Sequence, residues 1–188
     1  VLDLPTDGAI RVRGTDVTRL ADAERSRLRG EAIGFVFQQF HLIPHLTALG
    51  NVETALLYRG LTPRERRSRA MSALEQVGLG ERHDHRPVQM SGGEQQRVAI
   101  ARAISTDPGV VLADEPTGAL DSRNAENVMQ IFADLQSPER AICIVTHDMD
   151  VADATRRRIS MLDGKIVADE MLGGPSGGLA ETGAGAGS

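Results

Sequence analysis

Met90-Ser91-Gly92-Gly93-Glu94-Gln95-Gln96-Arg97-Val98, followed by Val110-Val111-Leu112-Ala113-Asp114-Glu115-Pro116-Thr117-Gly118-Ala119-Leu120-Asp121, holds the densest group of chemically demanding residues in this chain of 188. Ser91 and Glu94 have capping-box spacing, so hydroxyl and carboxylate can satisfy amides at the start of a helix whose apolar face carries Val98, Ala101 and Ile104. Gly92 and Gly93 fall in the first turn, where the missing side chains let a ligand approach the backbone. Bare N–H groups at a helix start favour an anion. Asp107-Pro108 is expected to end that helix, and the apolar run Val110 to Leu112 leads into Asp114-Glu115. Two carboxylates at the C-terminal end of a buried parallel strand suit a metal ligand beside a general base. Taken singly, the first feature also reads as a plain helix cap and the second as a strand leaving the core.

Order and spacing decide between these readings. The stretch resembles the ABC-transporter ATPases: Ser91-Gly92-Gly93-Glu94-Gln95 is similar to the family signature motif, Val110 to Asp114 to the Walker B strand, Glu115 to the catalytic glutamate, and Gly118-Ala119-Leu120-Asp121 to the D-loop. Gln38, after Gly34-Phe35-Val36-Phe37, resembles the Q-loop glutamine, and His147, after Ile144-Val145-Thr146, the H-loop histidine. Five motifs occur in family order over residues 1 to about 170. The resemblance implies a P-loop NTPase-like ABC ATPase fold, with a mostly parallel central sheet and a helical signature subdomain at about 40–100. Leu112 to Asp121, with His41-Leu42-Ile43-Pro44, is most similar to ATPases of the lipoprotein-releasing and macrolide-export type.

The sequence departs from the family at one motif. It contains no G-x-x-x-x-G-K-[ST]: the sole lysine, Lys165, follows Gly164 but precedes Ile166 in a hairpin context. The upstream aromatic residue that stacks on adenine in the family is also missing, and Val1 to Gly8 resembles the segment after the helix that follows the phosphate loop. The expectation is an ATPase domain over 1–172, truncated at its N-terminus, with a disordered Gly/Ser/Ala-rich tail over 173–188.

Composition is consistent with one globular domain: 40% of residues are hydrophobic and 25% charged. No apolar run approaches the roughly 18 residues of a membrane span, so membrane association is expected through a partner. A formal charge of −5 argues against nucleic acid as main partner. Cys143 stands alone and forms no internal disulfide.

Outside the motifs, an edge strand and turn are expected over 9–17, a connecting helix over Leu20 to Arg29, and strands at Ile33 to Phe37 and Ala141 to Val145. The last should be doubly covered, since it is nearly continuously apolar. Leu42, Ile43, Leu46, Leu49, Val52, Leu56 and Leu57 leave more than one helix face apolar, which fits either a subdomain core or a partner surface. Thr62-Pro63-Arg64-Glu65 starts a helix buried through Ala70, Met71, Leu74 and Val77, stopped at Gly78, with its arginines solvated. His83 and His85 lack further ligands at metal spacing and read as loop residues. A helix over Asp121 to Leu135 should bury Val128, Met129, Phe132 and Leu135, and Asp163-Gly164 should turn a hairpin.

What the resemblance implies chemically is an ATP-hydrolysing subunit of an ABC transporter. Two ATPase subunits would pack head to tail, with ATP held between the phosphate loop of one and Ser91, Gly92, Gly93 and Glu94 of the other. Asp114 would hold Mg²⁺ through water, Gln38 would reach the metal and the attacking water, Glu115 would activate that water, His147 would position it, and Asp121 would couple the two sites. A transmembrane permease docked near residues 38 to 60 would place the protein at the cytoplasmic face of the membrane. The alternative is a truncated, non-hydrolysing half supplying only its signature motif to an intact ATPase. DNA-repair ATPases of this class are disfavoured, because no heptad insertion, cysteine cluster or basic surface signal appears.

Overall fold

The computed structural model describes residues 4–12 and 14–172, which form two compact units meeting in sequence between Val145 and Thr146. The Gly/Ser/Ala-rich stretch 173–188, expected to be a disordered tail, lies outside the described residues.

The first unit opens with the short antiparallel pair Arg11–Val12 (β1) and Thr15–Asp16 (β2), where the sequence pattern predicts a single edge strand. Asp16 breaks the strand because its carboxylate accepts from the Thr18 amide at 3.0 Å, starting a 3-10 turn over Val17–Arg19. The connecting helix Asp22–Ala32 (α1) starts slightly later than its pattern predicts, with Glu24 accepting from the Ala21 amide, and runs directly into Ile33–Phe37 (β3). There follow Ala48–Glu53 (α2), Pro63–Gln76 (α3), Gly92–Ile104 (α4), Val110–Asp114 (β4), Ser122–Leu135 (α5) and Ala141–Val145 (β5). Strands β3, β4 and β5 pair in parallel in that order, with Phe37 opposite Asp114 and Asp114 opposite Val145. The three strands therefore end level, and the loops that leave them start from one edge.

Helices α2, α3 and α4 share a core built on Val52, Leu56, Leu74, Val98 and Ile100, all fully buried. Most of the apolar stretch from Leu42 to Leu56 is used here, while Leu57 and Tyr58 remain exposed. Asn51, also buried, orders the approach to α2. It accepts from the Ile43 amide at 2.7 Å and donates to the carbonyls of Ile43 and Thr47. The carbonyls of His83 and His85 cap α2 by accepting from the amides of Leu49 and Ala48, so both histidines serve in a loop. Helix α3 starts in the expected box, Glu65 amide to Thr62 Oγ1 and Thr62 amide to Glu65 Oε2, and stops where Gly78 adopts a φ of 70°. Its arginines are not all solvated: Arg66 is half-buried and donates to the Leu61 carbonyl.

Two further expectations are corrected. Helix α4 ends at Ile104, before Asp107-Pro108, and Asp107 then turns the chain with a φ of 52°. Strand β5 is not doubly covered: Ala141, Cys143 and Val145 are exposed, because no described strand pairs with its outer edge and no described helix covers that face within the unit. Apolar composition allowed a central strand but could not supply its neighbours.

The second unit holds the short helix Met149–Asp153 (α6) and the antiparallel hairpin Arg157–Leu162 (β6) and Lys165–Met171 (β7). Asp163 and Gly164 turn it with φ of 48° and 74°, both left-handed as a type I′ turn requires.

Candidate functional site

Helix α4 begins as its sequence dictates. Ser91 Oγ accepts from the Glu94 amide at 3.2 Å, and Glu94 Oε2 accepts from the Ser91 amide at 2.8 Å. The bond from the Ser91 amide, with the Ser91 hydroxyl and Arg82 at 3.7 Å, holds the Glu94 carboxyl below the usual range. Glu94 is thereby committed to the cap, and the Ser91 hydroxyl, which accepts from the Glu94 amide, also stands beside its carboxylate.

The two glycines behave differently from each other. At Gly92 an added Cβ would make ordinary contact with Leu120 and Phe40. At Gly93 it would collide with Asn124 Oδ1 and lie 2.7 Å from Asn124 Cγ. The room on the Cβ side of Gly93 is taken by Asn124 of α5, so packing also requires a glycine there. Asn124 in turn donates its amide N–H to Asp121 Oδ1 at 3.0 Å and its Nδ2 to Asp121 Oδ2 at 2.6 Å. These bonds lower the Asp121 pKa and make it the N-cap of α5. Asp121, Asn124 and Gly93 thus form one packed junction between the loop after β4 and the start of α4.

At the strand ends, Gln38 follows β3, Asp114 closes β4, and Glu115 comes next with a φ of 45°. Asp114 is exposed and Glu115 half-buried. The Glu115 amide donates to the Val145 carbonyl at 2.9 Å, and the Glu115 carbonyl accepts from Gly118 at 3.1 Å. Gln38 lies over this turn, since a Cβ at Gly118 would fall 2.7 Å from its Nε2. The structure therefore brings Gln38, Asp114, Glu115 and Gly118 to one edge of the sheet. His147 follows β5 by two residues and is exposed in the second unit.

Sequence reasoning passed over three residues that link these loops to α4. Gln96 is fully buried and donates to the Pro116 carbonyl at 2.6 Å. Arg102 donates to the carbonyls of Phe40 and His41 at 2.8 and 2.6 Å, and burial draws its pKa down. Phe40 and His41 both have positive φ, 55° and 48°, so Arg102 fastens a strained segment immediately after Gln38-Gln39. The third is Asn124. A signal was present for Gln96, which shares the helical spacing of Gly93, Ile100 and Ala103, all buried.

Asp114, exposed at the end of β4, is a carboxylate of the kind a hydrated divalent cation takes. Among the described residues no group of three or more His, Cys, Asp or Glu side chains could hold a metal ion. Mg²⁺ does not need one, because it keeps several waters and takes one or two carboxylates together with substrate phosphate oxygens.

Residues 2–118 match the family model described as ABC transporter. The chain is 51% identical over 175 residues to the macrolide export ATP-binding/permease protein MacB 1/2 of Paracoccus denitrificans, covering 93% of this chain and 26% of that protein. It is 46% identical over 169 residues to the ABC transporter ATP-binding protein YvrO of Bacillus subtilis, covering 90% of this chain and 74% of the relative. The chain thus spans about a quarter of the macrolide-export relative and three quarters of YvrO. Among solved structures, a dimeric post-hydrolysis state of the ATP-binding cassette MJ0796 bound to ADP and Pi superposes with a TM-score of 0.78 at 45% identity, over 92% of this chain and 77% of that one.

Proposed function

The chain belongs to the ABC transporter ATP-binding family, and from that premise we propose that it is the ATP-binding and ATP-hydrolysing part of an exporter of the macrolide-export or lipoprotein-releasing type. We take residues 1–172 as the ATPase domain, with a helical subdomain at about 40–100 and 173–188 as a tail. The work is done on the γ-phosphate of ATP. The division of the site's groups into a donor set at the start of α4 and a base set at the strand ends supports this reading most directly. Ser91 and the first-turn amides offer hydrogen-bond donors without a base, while Gln38, Asp114 and Glu115 offer carboxylate and amide groups without an anion cradle.

A donor set and a base set that do not complete one site suit a head-to-tail dimer, as the dimeric MJ0796 cassette suggests by likeness. In it, Ser91 and the amides of Gly92 and Gly93 face the phosphate held by the second subunit. Glu115 takes a proton from the attacking water. Gln38 and His147 orient that water, and Asp121 keeps the loop between the sites in register. Mg²⁺, held near Asp114 and Gln38, would neutralise charge developing on the phosphate oxygens. Among the described residues no helix is long and apolar enough to cross a membrane. By likeness to the macrolide export ATP-binding/permease protein, the work reaches the membrane through a permease, fused or separate, at its cytoplasmic face.

The test is Glu115→Gln in the full-length subunit with its permease. Loss of a positioned base should lower kcat by about 10²- to 10⁴-fold while ATP binding survives. A second reading, an accessory half that lends only Ser91 and its helix to an intact ATPase, starts from the lack of a phosphate-loop motif in these 188 residues. On that reading Glu115→Gln leaves turnover by the assembly unchanged and Ser91→Ala does not.

A further inference from the structure

Glu115 occupies a backbone conformation that its own sequence opposes. Its φ of 45° is left-handed, uncommon for a residue with a Cβ, and the following Pro116 disfavours helical conformations at the residue before it. Such a peptide persists only where its surroundings hold it. Three hydrogen bonds contribute here. The Glu115 amide is fixed to Val145 of β5, the Glu115 carbonyl to Gly118 of its own turn, and the Pro116 carbonyl to Gln96 of α4 at 2.6 Å.

The third bond comes from a residue poorly suited to a purely structural role. Gln96 is fully buried, and its Oε1 has no hydrogen-bond partner among the described residues. The amide cannot be flipped to relieve this, because the flip would set oxygen against the Pro116 oxygen. A half-satisfied buried amide destabilises the fold relative to an apolar side chain of the same shape. The half that is satisfied is the bond to the Pro116 carbonyl.

We propose that Gln96 is a positioning residue for Glu115, linking the helix that starts at Ser91 to the strained peptide that aims the base. Gln96 lies five residues beyond Ser91 on one helix, so a shift of that helix start pulls on the Pro116 carbonyl and re-aims the carboxylate. Engagement of the signature end by phosphate on the second subunit is thereby sensed by the same chain's own general base. The link rests on Glu115 being that base.

The experiment uses the full-length subunit with its permease and three variants. Gln96→Met keeps length and loses the donor together with the orphan oxygen. The expected result is a kcat lowered about 10- to 100-fold, as for a small misplacement of a reacting group, with KM for ATP within about twofold and the melting temperature unchanged or higher. Unchanged kcat would overturn the proposal. Gln96→Glu covers the case in which the Met variant loses its fold. A carboxyl at this buried position has its pKa raised and donates to the Pro116 carbonyl only in its acid form. Activity of this variant should therefore fall with rising pH where the wild type is flat, and a profile matching the wild type would overturn the link. Glu115→Gln measured alongside separates the two levels: if it retains turnover, the base assignment itself fails, whatever the Gln96 variants show.

Discussion

Asn124 gives Gly93 a packing role beside the one its motif implies. The space beside Gly93 is filled by the Asn124 side-chain amide, whose Nδ2 donates to Asp121 Oδ2 while the Asn124 backbone N–H donates to Oδ1. Gly93→Ala should therefore destabilise the fold by about 1–3 kcal/mol through overpacking, read as a lower denaturation midpoint. Asn124→Ala in the same chain removes Oδ1 and Cγ, the two nearest obstacles, and should recover part of that loss. Strictly additive destabilisation in this double-mutant cycle would show that the two side chains do not meet. The Asp121 cap was visible as an aspartate before a helix; Asn124 as its partner was not, because the second contact reaches back to Gly93 on a different helix.

At the level of elements, α4 is the part that organises the site. Its N-terminus carries Ser91, its buried face carries Gln96, and its last turns carry Arg102, which fastens the carbonyls of Phe40 and His41. Close approach to the sheet is possible because Gly34 faces it: a Cβ there would sit 2.5 Å from the Ala103 carbonyl. Arg102→Ala leaves two carbonyls of a strained segment without their charged donor and should cost about 1–3 kcal/mol. Arg102→Lys, lacking the fork that reaches both carbonyls at once, should recover less than half of it. Equal stability of the two variants and the wild type, by thermal melting, would show that the segment holds itself. Helix α4, strand β4 and the hairpin turn at Asp163-Gly164 were legible because caps, apolar runs and left-handed turn residues act over a few neighbours. Strand β5 was misjudged because its covering depends on elements that its own residues do not specify.

Across the whole molecule, surface exposure is uneven. Val145 beside the outer edge of β5, and Ile159, Met161, Leu162, Ile166, Val167 and Met171 on the hairpin, are exposed apolar residues in units described separately. An unpaired strand edge and exposed apolar residues favour association. The 188-residue polypeptide alone is expected to self-associate with rising concentration in sedimentation experiments and to hydrolyse no ATP, since it lacks a phosphate-loop motif. A sedimentation coefficient independent of concentration would contradict the first expectation, and sustained turnover by the 188-residue chain the second.

The sequence by itself determined the family, the order of the motifs and the caps of α3 and α4. Each of these depends on residues close together in the chain, or on a pattern of motifs specific enough to name a fold. Tertiary structure alone decided that Gly93 is filled by Asn124, that Gln96 holds the Pro116 carbonyl, and that Arg102 holds the segment after Gln38. Those contacts join residues 20 to 62 positions apart. Their geometry follows from how helices and strands pack, and no local propensity encodes it.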